Sequence, residues 1–303
     1  AKSNLAEILP VIYTPTVGHA IEAQCHLGIP TNGIIIRRSD LHSIDALFKR
    51  FADRDIRLAV ITDGSAVLGL GDQGIGGLAI SVGKLNLYSA AAGIAPEQTL
   101  PIVLDFGTDN LKLRRSPSYQ GARHPRPHPT RVRAQVTAVV EAFKRHFPNA
   151  LLQWEDFGKE MAFTLLQDHR ESIPSFNDDI QGTGAMALAG FLRAVELKGR
   201  SILDERVMIV GAGAGGIGVA SMLSQVLEHR PRGNQSDSRV VVLDSRGVMS
   251  SRRELDAYKE RFAVDYAMLE RAGVTETSPL PELISKLGIT TLVGLSGQPG
   301  IFD

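Results

Sequence analysis

The stretch Gln153 to Gln181, "QWEDFGKEMAFTLLQDHRESIPSFNDDIQ", carries two pairs of adjacent acids, Glu155-Asp156 and Asp178-Asp179. Each pair follows apolar or aromatic residues, at points where strands are expected to run into loops. Acids ordinarily face water. Three or four of them converging would repel one another and raise their pKa values unless a cation neutralised them. Ligands that offer only oxygen suit Mg²⁺ or Mn²⁺. The plainer reading has Asp178 or Asp179 capping a helix and Glu155-Asp156 facing solvent. Against it stands a rule of open α/β sheets, in which ligands gather beyond the carboxyl ends of the strands.

A second chemical feature is Gly211, Gly213 and Gly216, a G-x-G-x-x-G directly after the apolar run Val207–Val210 and directly before a helical pattern. The first glycine permits a tight turn, the second lets backbone approach a pyrophosphate, and the third lets helix pack on strand. The helix amino terminus favours the anion. Asp244 ends the next strand, where a carboxylate can take ribose hydroxyls. It would repel a 2′-phosphate, which favours NAD, while Arg246, Arg252 and Arg253 are near enough in sequence to bind one and keep NADP open. A glycine-rich turn without a ligand is the alternative.

The elements that must position these groups alternate between strand and helix, the α/β pattern. Arg57–Asp63 and Leu100–Gly107 are apolar runs ending in turn residues, as buried parallel strands do. Helical spacing runs over Ser81–Ala92, and again through Val132, Val136, Val139, Val140 and Phe143. The strand "ALLQWEDF" follows, with Trp154 expected in the core beside the acids. Thr183–Leu197 reads as a buried helix, and a seam is expected near Leu197–Glu205. This gives a parallel-sheet first domain over 1–199 and a Rossmann-type domain over 200–303. Arg114–Thr130, rich in proline and basic residues, reads as a mobile cationic surface loop, which leaves His124 and His128 as surface residues rather than metal or phosphate ligands. Arg230–Ser238 is a polar loop.

The 303 residues suit about two domains. Lys plus Arg and Asp plus Glu are equal at 33 each, so no global field draws nucleic acid or an anionic membrane. No apolar run approaches the roughly eighteen residues that a membrane span needs. A single cysteine, Cys25, excludes an internal disulfide, fits a reducing cytoplasm and is expected to be a small buried residue.

The words "VIYTPTVG" (Val11–Gly18), "TDG" with "VLGLGDQG" (Thr62–Gly74), "VGKLNLYSAAAGI" (Val82–Ile94), "VLDFGTDN" (Val103–Asn110), "WEDFG" and "FNDDIQGTG" (Phe176–Gly184) stand in the order found in malic enzymes, and the chain resembles that family from Val11 to about Gly297. The family decarboxylates malate oxidatively to pyruvate and CO₂ with NAD or NADP and a divalent metal. The resemblance implies that Glu155, Asp156 and Asp179 hold Mg²⁺ or Mn²⁺, with Asp178 as a neighbour in the proton relay. It implies Tyr13 as general acid and Lys84 as general base. The cofactor-binding set becomes Gly211, Gly213, Gly216, Asp244 and Asp179, and the full-length protein is expected to be a homo-oligomer acting on malate or a similar 2-hydroxy diacid.

Two departures qualify the resemblance. The family usually has an arginine two residues beyond the glycine of "TDG", where it would hold a substrate carboxylate; here that position is Ala66. The malolactic relatives, which make lactate with bound NAD, tend to a small residue there. The second departure is length: only about three strands are expected after the seam, against about six in a complete nicotinamide-binding half. Both ends look cut, and the chain reads as part of a longer reading frame. A catalytically silent dinucleotide-binding fragment is therefore a further alternative.

Overall fold

A computed structural model of the chain describes residues 4–27, 32–227 and 238–302. It divides into two compact units, Ala1–Asn177 and Asp178–Asp303.

The first unit is built on five parallel strands: β1 (Ile34–Arg37), β2 (Leu58–Thr62), β3 (Thr99–Asp105), β4 (Leu151–Trp154) and β5 (Ser175–Asn177). Their order in the sheet is β1-β3-β2-β4-β5. Every residue of β2 is buried, the signature of a central parallel strand covered on both faces. Helices α1 (Leu5–Ile12), α2 (Thr16–Leu27) and α3 (Ile44–Lys49) lie early in the chain. Three more make the crossovers between parallel strands: α4 (Leu78–Leu87) from β2 to β3, α6 (Pro129–His146) from β3 to β4, and α7 (Lys159–His169) from β4 to β5. A short α5 (Leu111–Arg115) follows β3.

The expected apolar stripe of α6 is buried throughout, from Val132 to Phe143. Phe143 meets Phe48 of α3 edge to face at 5.8 Å, and Phe147 meets the same ring at 5.9 Å. The helical spacing over Ser81–Ala92 resolves into α4 and a π-helical turn, Tyr88–Ala92. Such turns are rare and recur at functional sites.

The second unit opens with another π-helical turn, Asp178–Gly182, and runs directly into α8 (Thr183–Leu197). Then come β6 (Val207–Val210), α9 (Ala214–Leu227), β7 (Val240–Asp244), β8 (Gly247–Val248), α10 (Ala257–Glu260), α11 (Tyr266–Ala272), α12 (Leu280–Lys286) and β9 (Thr291–Gly294). The sheet order is β8-β7-β6-β9. β6 is parallel to both β7 and β9, and the two-residue β8 is antiparallel to β7. The division between units lies upstream of the Leu197–Glu205 seam because α8 packs on α9. There Gly184 and Gly218 bring the two helices close, and a Cβ on Gly184 would stand 2.6 Å from the Gly218 carbonyl oxygen.

Among the described residues no helix is long and apolar enough to cross a membrane. All of the Arg230–Ser238 loop except Ser238 lies outside the described residues, as does the side chain of Cys25.

Glu205, buried just ahead of β6, links three elements. Its carboxylate accepts hydrogen bonds from Thr290 Oγ1 at 2.5 Å, Thr291 Oγ1 at 2.9 Å and Lys198 Nζ at 2.9 Å. Burial pushes the Glu205 carboxyl up, but the bonds from Thr290, Lys198 and Thr291 together outweigh it and hold the group down at about 2. An unfolded glutamate titrates near about 4.3. The folded value is the lower one, so this contribution to stability is complete above the unfolded value and is lost as pH falls through it towards the folded one. Glu205→Gln is expected to lower the melting temperature at neutral pH, and the gap from the parent should close as pH falls from about 4.5 to about 2. Circular-dichroism melts across that range check it.

Candidate active site and glycine turn

In the first unit, β4 delivers Glu155 and Asp156 at its carboxyl end, and the Glu155 amide extends the ladder by donating to the Ile61 carbonyl at 3.0 Å. Both side chains are withdrawn from water, with Glu155 2% and Asp156 5% exposed. That removes the plainer reading of a solvated pair. Asp156 adopts φ +54°, the left-handed region that non-glycine residues seldom occupy. Its carbonyl accepts from the Ala66 amide at 3.0 Å, which fastens the turn to the loop after β2.

The two candidate proton-transfer groups meet at Glu155. Lys84, on α4, places Nζ 2.9 Å from Glu155 Oε1. Tyr13 sits at the end of α1, and its hydroxyl donates a long 3.4 Å hydrogen bond to the same oxygen. The Lys84 ammonium stands 5.0 Å from the centre of the Tyr13 ring. Gly83 makes this approach possible, since a Cβ there would meet Tyr13 Cδ2 at 3.0 Å and the Ile12 carbonyl at 3.2 Å. Burial first, and the Glu155 carboxylate second, push the Tyr13 phenol above its ordinary value, with Lys84 opposing them. Tyr13 therefore keeps its proton through the neutral range.

The loops around these residues are held by Arg126, which sequence reasoning had placed in a mobile cationic segment. The side chain is only 13% exposed. Nη1 reaches Asp63 Oδ2 at 3.1 Å, while Nη2 reaches the Asp63 carbonyl at 2.9 Å and Asp72 Oδ1 at 2.8 Å. Nε adds a bond to Asp72 Oδ2 at 3.1 Å. Burial raises the Asp63 carboxyl despite Arg126; at Asp72 burial also pushes upward, but Arg126 outweighs it and the carboxyl is held below its usual range. Ser65 carries the tie onward, donating to Asp63 Oδ1 at 2.6 Å and accepting from the Gly158 amide at 2.7 Å. The available signal was the pair of acids at the ends of "ITD" and "GLGD", which need a cation once buried. His124 and His128 are exposed, as expected of that stretch. Trp154 is fully buried, as expected, and packs against Phe157 and His169.

In the second unit, Asp178 and Asp179 are half-buried in the opening π-helical turn. The N-cap of α8 is Gly182, so neither acid occupies the cap position. The glycine turn has the form expected of it. Gly211 has φ +122°, and a Cβ there would stand 2.6 Å from the Leu295 backbone. A Cβ on Gly216 would strike the Gly211 carbonyl, whereas nothing lies within 4 Å of one on Gly213. That open position is where a pyrophosphate can approach the amino end of α9. Asp244 closes β7 and is gripped by Arg253 Nη2, at 2.8 Å to Oδ1 and 2.6 Å to Oδ2. The Arg246 amide donates to Oδ1 as well, at 2.8 Å. Partial burial pushes the Asp244 carboxyl up, but these partners prevail and it stays below its usual range.

Fold and site together describe an α/β protein in which an acid-bearing, parallel-sheet unit is followed by a dinucleotide-binding unit. Residues 1–170 match the malic enzyme N-terminal domain and residues 180–303 the malic enzyme NAD binding domain. The chain belongs to the malic enzyme family. It is 38% identical over 305 residues to the NAD-dependent malic enzyme of Sodalis glossinidius, covering 99% of this chain and 54% of the relative. The corresponding protein of Proteus mirabilis is 37% identical over 304 residues, with the same coverage of each chain. The chain thus spans about half the length of the curated relatives it matches. Among solved structures, Entamoeba histolytica malic enzyme shares the fold with a TM-score of 0.56 at 24% identity, over 97% of this chain and 51% of that one. The NAD-dependent malic enzyme of Thermotoga maritima gives 0.54 at 24% identity, over 96% and 62%.

Removing Arg126 would leave Asp63 buried beside Asp72 without its cation, which costs about 3–5 kcal/mol for a buried pair broken on one side. Arg126→Met is expected to lower unfolding free energy by that order in urea titrations.

Proposed function

We propose that the protein decarboxylates malate oxidatively to pyruvate and CO₂ with reduction of NAD, using Mg²⁺ or Mn²⁺ held by Glu155, Asp156 and Asp179. The observation that carries this reading is the meeting of Lys84 and Tyr13 at one oxygen of Glu155. A lysine and a phenol that retains its proton stand beside a buried carboxylate, the residue types that an acid–base sequence on a hydroxy acid requires once Lys84 has given up its proton.

The donor set fits a hard divalent cation, because Glu155 and Asp156 offer only carboxylate oxygens and both are buried. Sheet register supports adding Asp179. Trp154 of β4 pairs with Asn177 of β5, so both acid pairs begin one residue beyond matched positions on neighbouring parallel strands. A bound divalent ion would supply a Lewis acid for the substrate hydroxyl and carbonyl. Lys84 Nζ would take the C2 hydroxyl proton of malate, which it can do only from its neutral form. Tyr13 would return a proton to carbon after CO₂ leaves, and Asp178 would serve the proton relay.

NAD is favoured over NADP by how the cations near Asp244 are used. Arg253 is committed to Asp244 and, through Nη1, to the Gly247 and Val248 carbonyls. Arg252 binds Glu270 and lies 3.5 Å over the Tyr266 ring, and Arg246 reaches the Glu254 carbonyl. A carboxylate has about four acceptor positions, and Arg253 and the Arg246 amide take three, leaving room on Oδ2 for a ribose hydroxyl. Bound NAD would accept hydride from C2.

Ala66 favours a second reading. Its side chain is exposed, and it cannot make the bidentate contact to a substrate carboxylate that arginine makes. That leaves room for the malolactic reaction. Product analysis with Mn²⁺, malate and NAD separates the two: pyruvate with equimolar NADH is expected, and lactate without net NADH would select the second. Asp179→Ala is expected to abolish metal-dependent turnover while nucleotide affinity stays within about twofold, since a lost ligand removes the metal but not the glycine turn. Lys84→Ala is expected to lose hydride transfer and to recover part of it with small added amines. Parent rates without amine would remove Lys84 as the base.

A further inference from the structure

The two oxygens of Glu155 are held by different partners. Oε1 faces Lys84 and Tyr13, as described above. Oε2 accepts a 2.5 Å hydrogen bond from Nε2 of Gln153. Gln153 is fully buried on β4, two residues before Glu155, and alternation along a strand puts both side chains on one face. The carbonyl oxygen of the Gln153 side chain accepts in turn from the Tyr88 hydroxyl at 2.7 Å.

Chemistry fixes the direction of this chain. An ionised carboxylate only accepts, so Gln153 must turn its amino group towards Glu155 and its oxygen towards Tyr88, and the phenol must then donate. The order is Tyr88 to Gln153 to Glu155, with no freedom to flip the amide. Tyr88 itself follows the last residue of α4, four positions after Lys84, so it lies on the same side of the helix. Its ring packs against the buried cluster of Leu58, Val60 and Leu85. One helical segment therefore reaches Glu155 twice: directly at Oε1 through Lys84, and at Oε2 through a buried relay.

We propose that Tyr88 and Gln153 are positioning residues that set the rotation of the Glu155 carboxylate. The relay occupies Oε2 and keeps Oε1 turned to Lys84, and it thereby shapes both the base and the metal ligand. The metal part and the role of Lys84 as base rest on the function proposed above; the hold on Oε1 beside Lys84 does not. If Tyr88 merely fills the apolar cluster, its ring is sufficient and its hydroxyl is dispensable.

Tyr88→Phe keeps the ring and removes the hydroxyl, and Gln153→Leu removes the middle of the relay at similar volume. The purified chain and three variants (each single change and the double) are compared in two ways, with melting curves confirming that each is folded. In the first, without metal, Lys84 acylation by acetic anhydride is followed by mass spectrometry against exposed Lys286 as internal reference. Release of Glu155 is expected to speed Lys84 acylation about threefold or more, and the double variant should match Gln153→Leu alone, as members of one network do. In the second, Mn²⁺ titration by electron paramagnetic resonance should show affinity falling about 3–10-fold in Tyr88→Phe, at or below the usual effect of outer partners of metal ligands. Unchanged Lys84 acylation in Tyr88→Phe, or effects of the two changes that simply add, would overturn the relay. Absence of Mn²⁺ binding to the parent chain would overturn the metal assignment alone, with acylation still deciding the relay. Should Gln153→Leu fail to fold, Tyr88→Phe decides by the acylation rate.

Discussion

An ionised carboxylate withdrawn from water has to be repaid in hydrogen bonds and opposite charge, and Glu155 is where this protein meets that demand. Its amide belongs to the sheet, one oxygen belongs to Lys84 and Tyr13, and the other to Gln153. Sheet, helix α4 and the end of α1 are thus all committed to one side chain. Replacing a burial of this kind with hydrocarbon would often be no less stable, so stability by itself does not account for the arrangement.

Around that centre the loops are ordered by a second buried charge. Arg126 gathers the turn after β2 and the "GLGDQG" word, and the Asp109 side chain accepts from the Arg126 amide at 3.1 Å, which adds the loop after β3. Ser65 and Ala66 pass this order to the turn that contains Asp156. The left-handed backbone of Asp156 is the visible result. Such a conformation persists only where its surroundings over-determine it, and here two loops do so.

What sequence made legible follows from how local each signal is. The glycine turn could be read directly, because strand, turn, helix and following acid are near neighbours in the chain. The core strands were equally plain as unbroken apolar runs, and the stripe of α6 as a helical period. Tyr13 and Glu155 are 142 positions apart, and nothing in either neighbourhood announces their meeting; only resemblance to malic enzymes brought them together. Arg126 was misread as a surface cation because its partners lie 54 and 63 positions away. Strand β1 escaped notice for a simpler reason, since a short apolar run cannot be told from a helical segment by periodicity. The division after Asn177 likewise depends on helix packing between α8 and α9, which no compositional shift marks.

The glycines of α9 carry a mechanical consequence. Gly218 lies so close to the Ile180 carbonyl that no side chain fits, and a Cβ on Gly215 would touch Thr183 at 3.3 Å and the Asp179 carbonyl at 3.7 Å. The turn bearing Asp178 and Asp179 is therefore wedged against the first turns of α9. A side chain at Gly218 would force the acidic turn away from the helix that follows the glycine turn, so the spacing between the two turns is set by the absence of one methyl group.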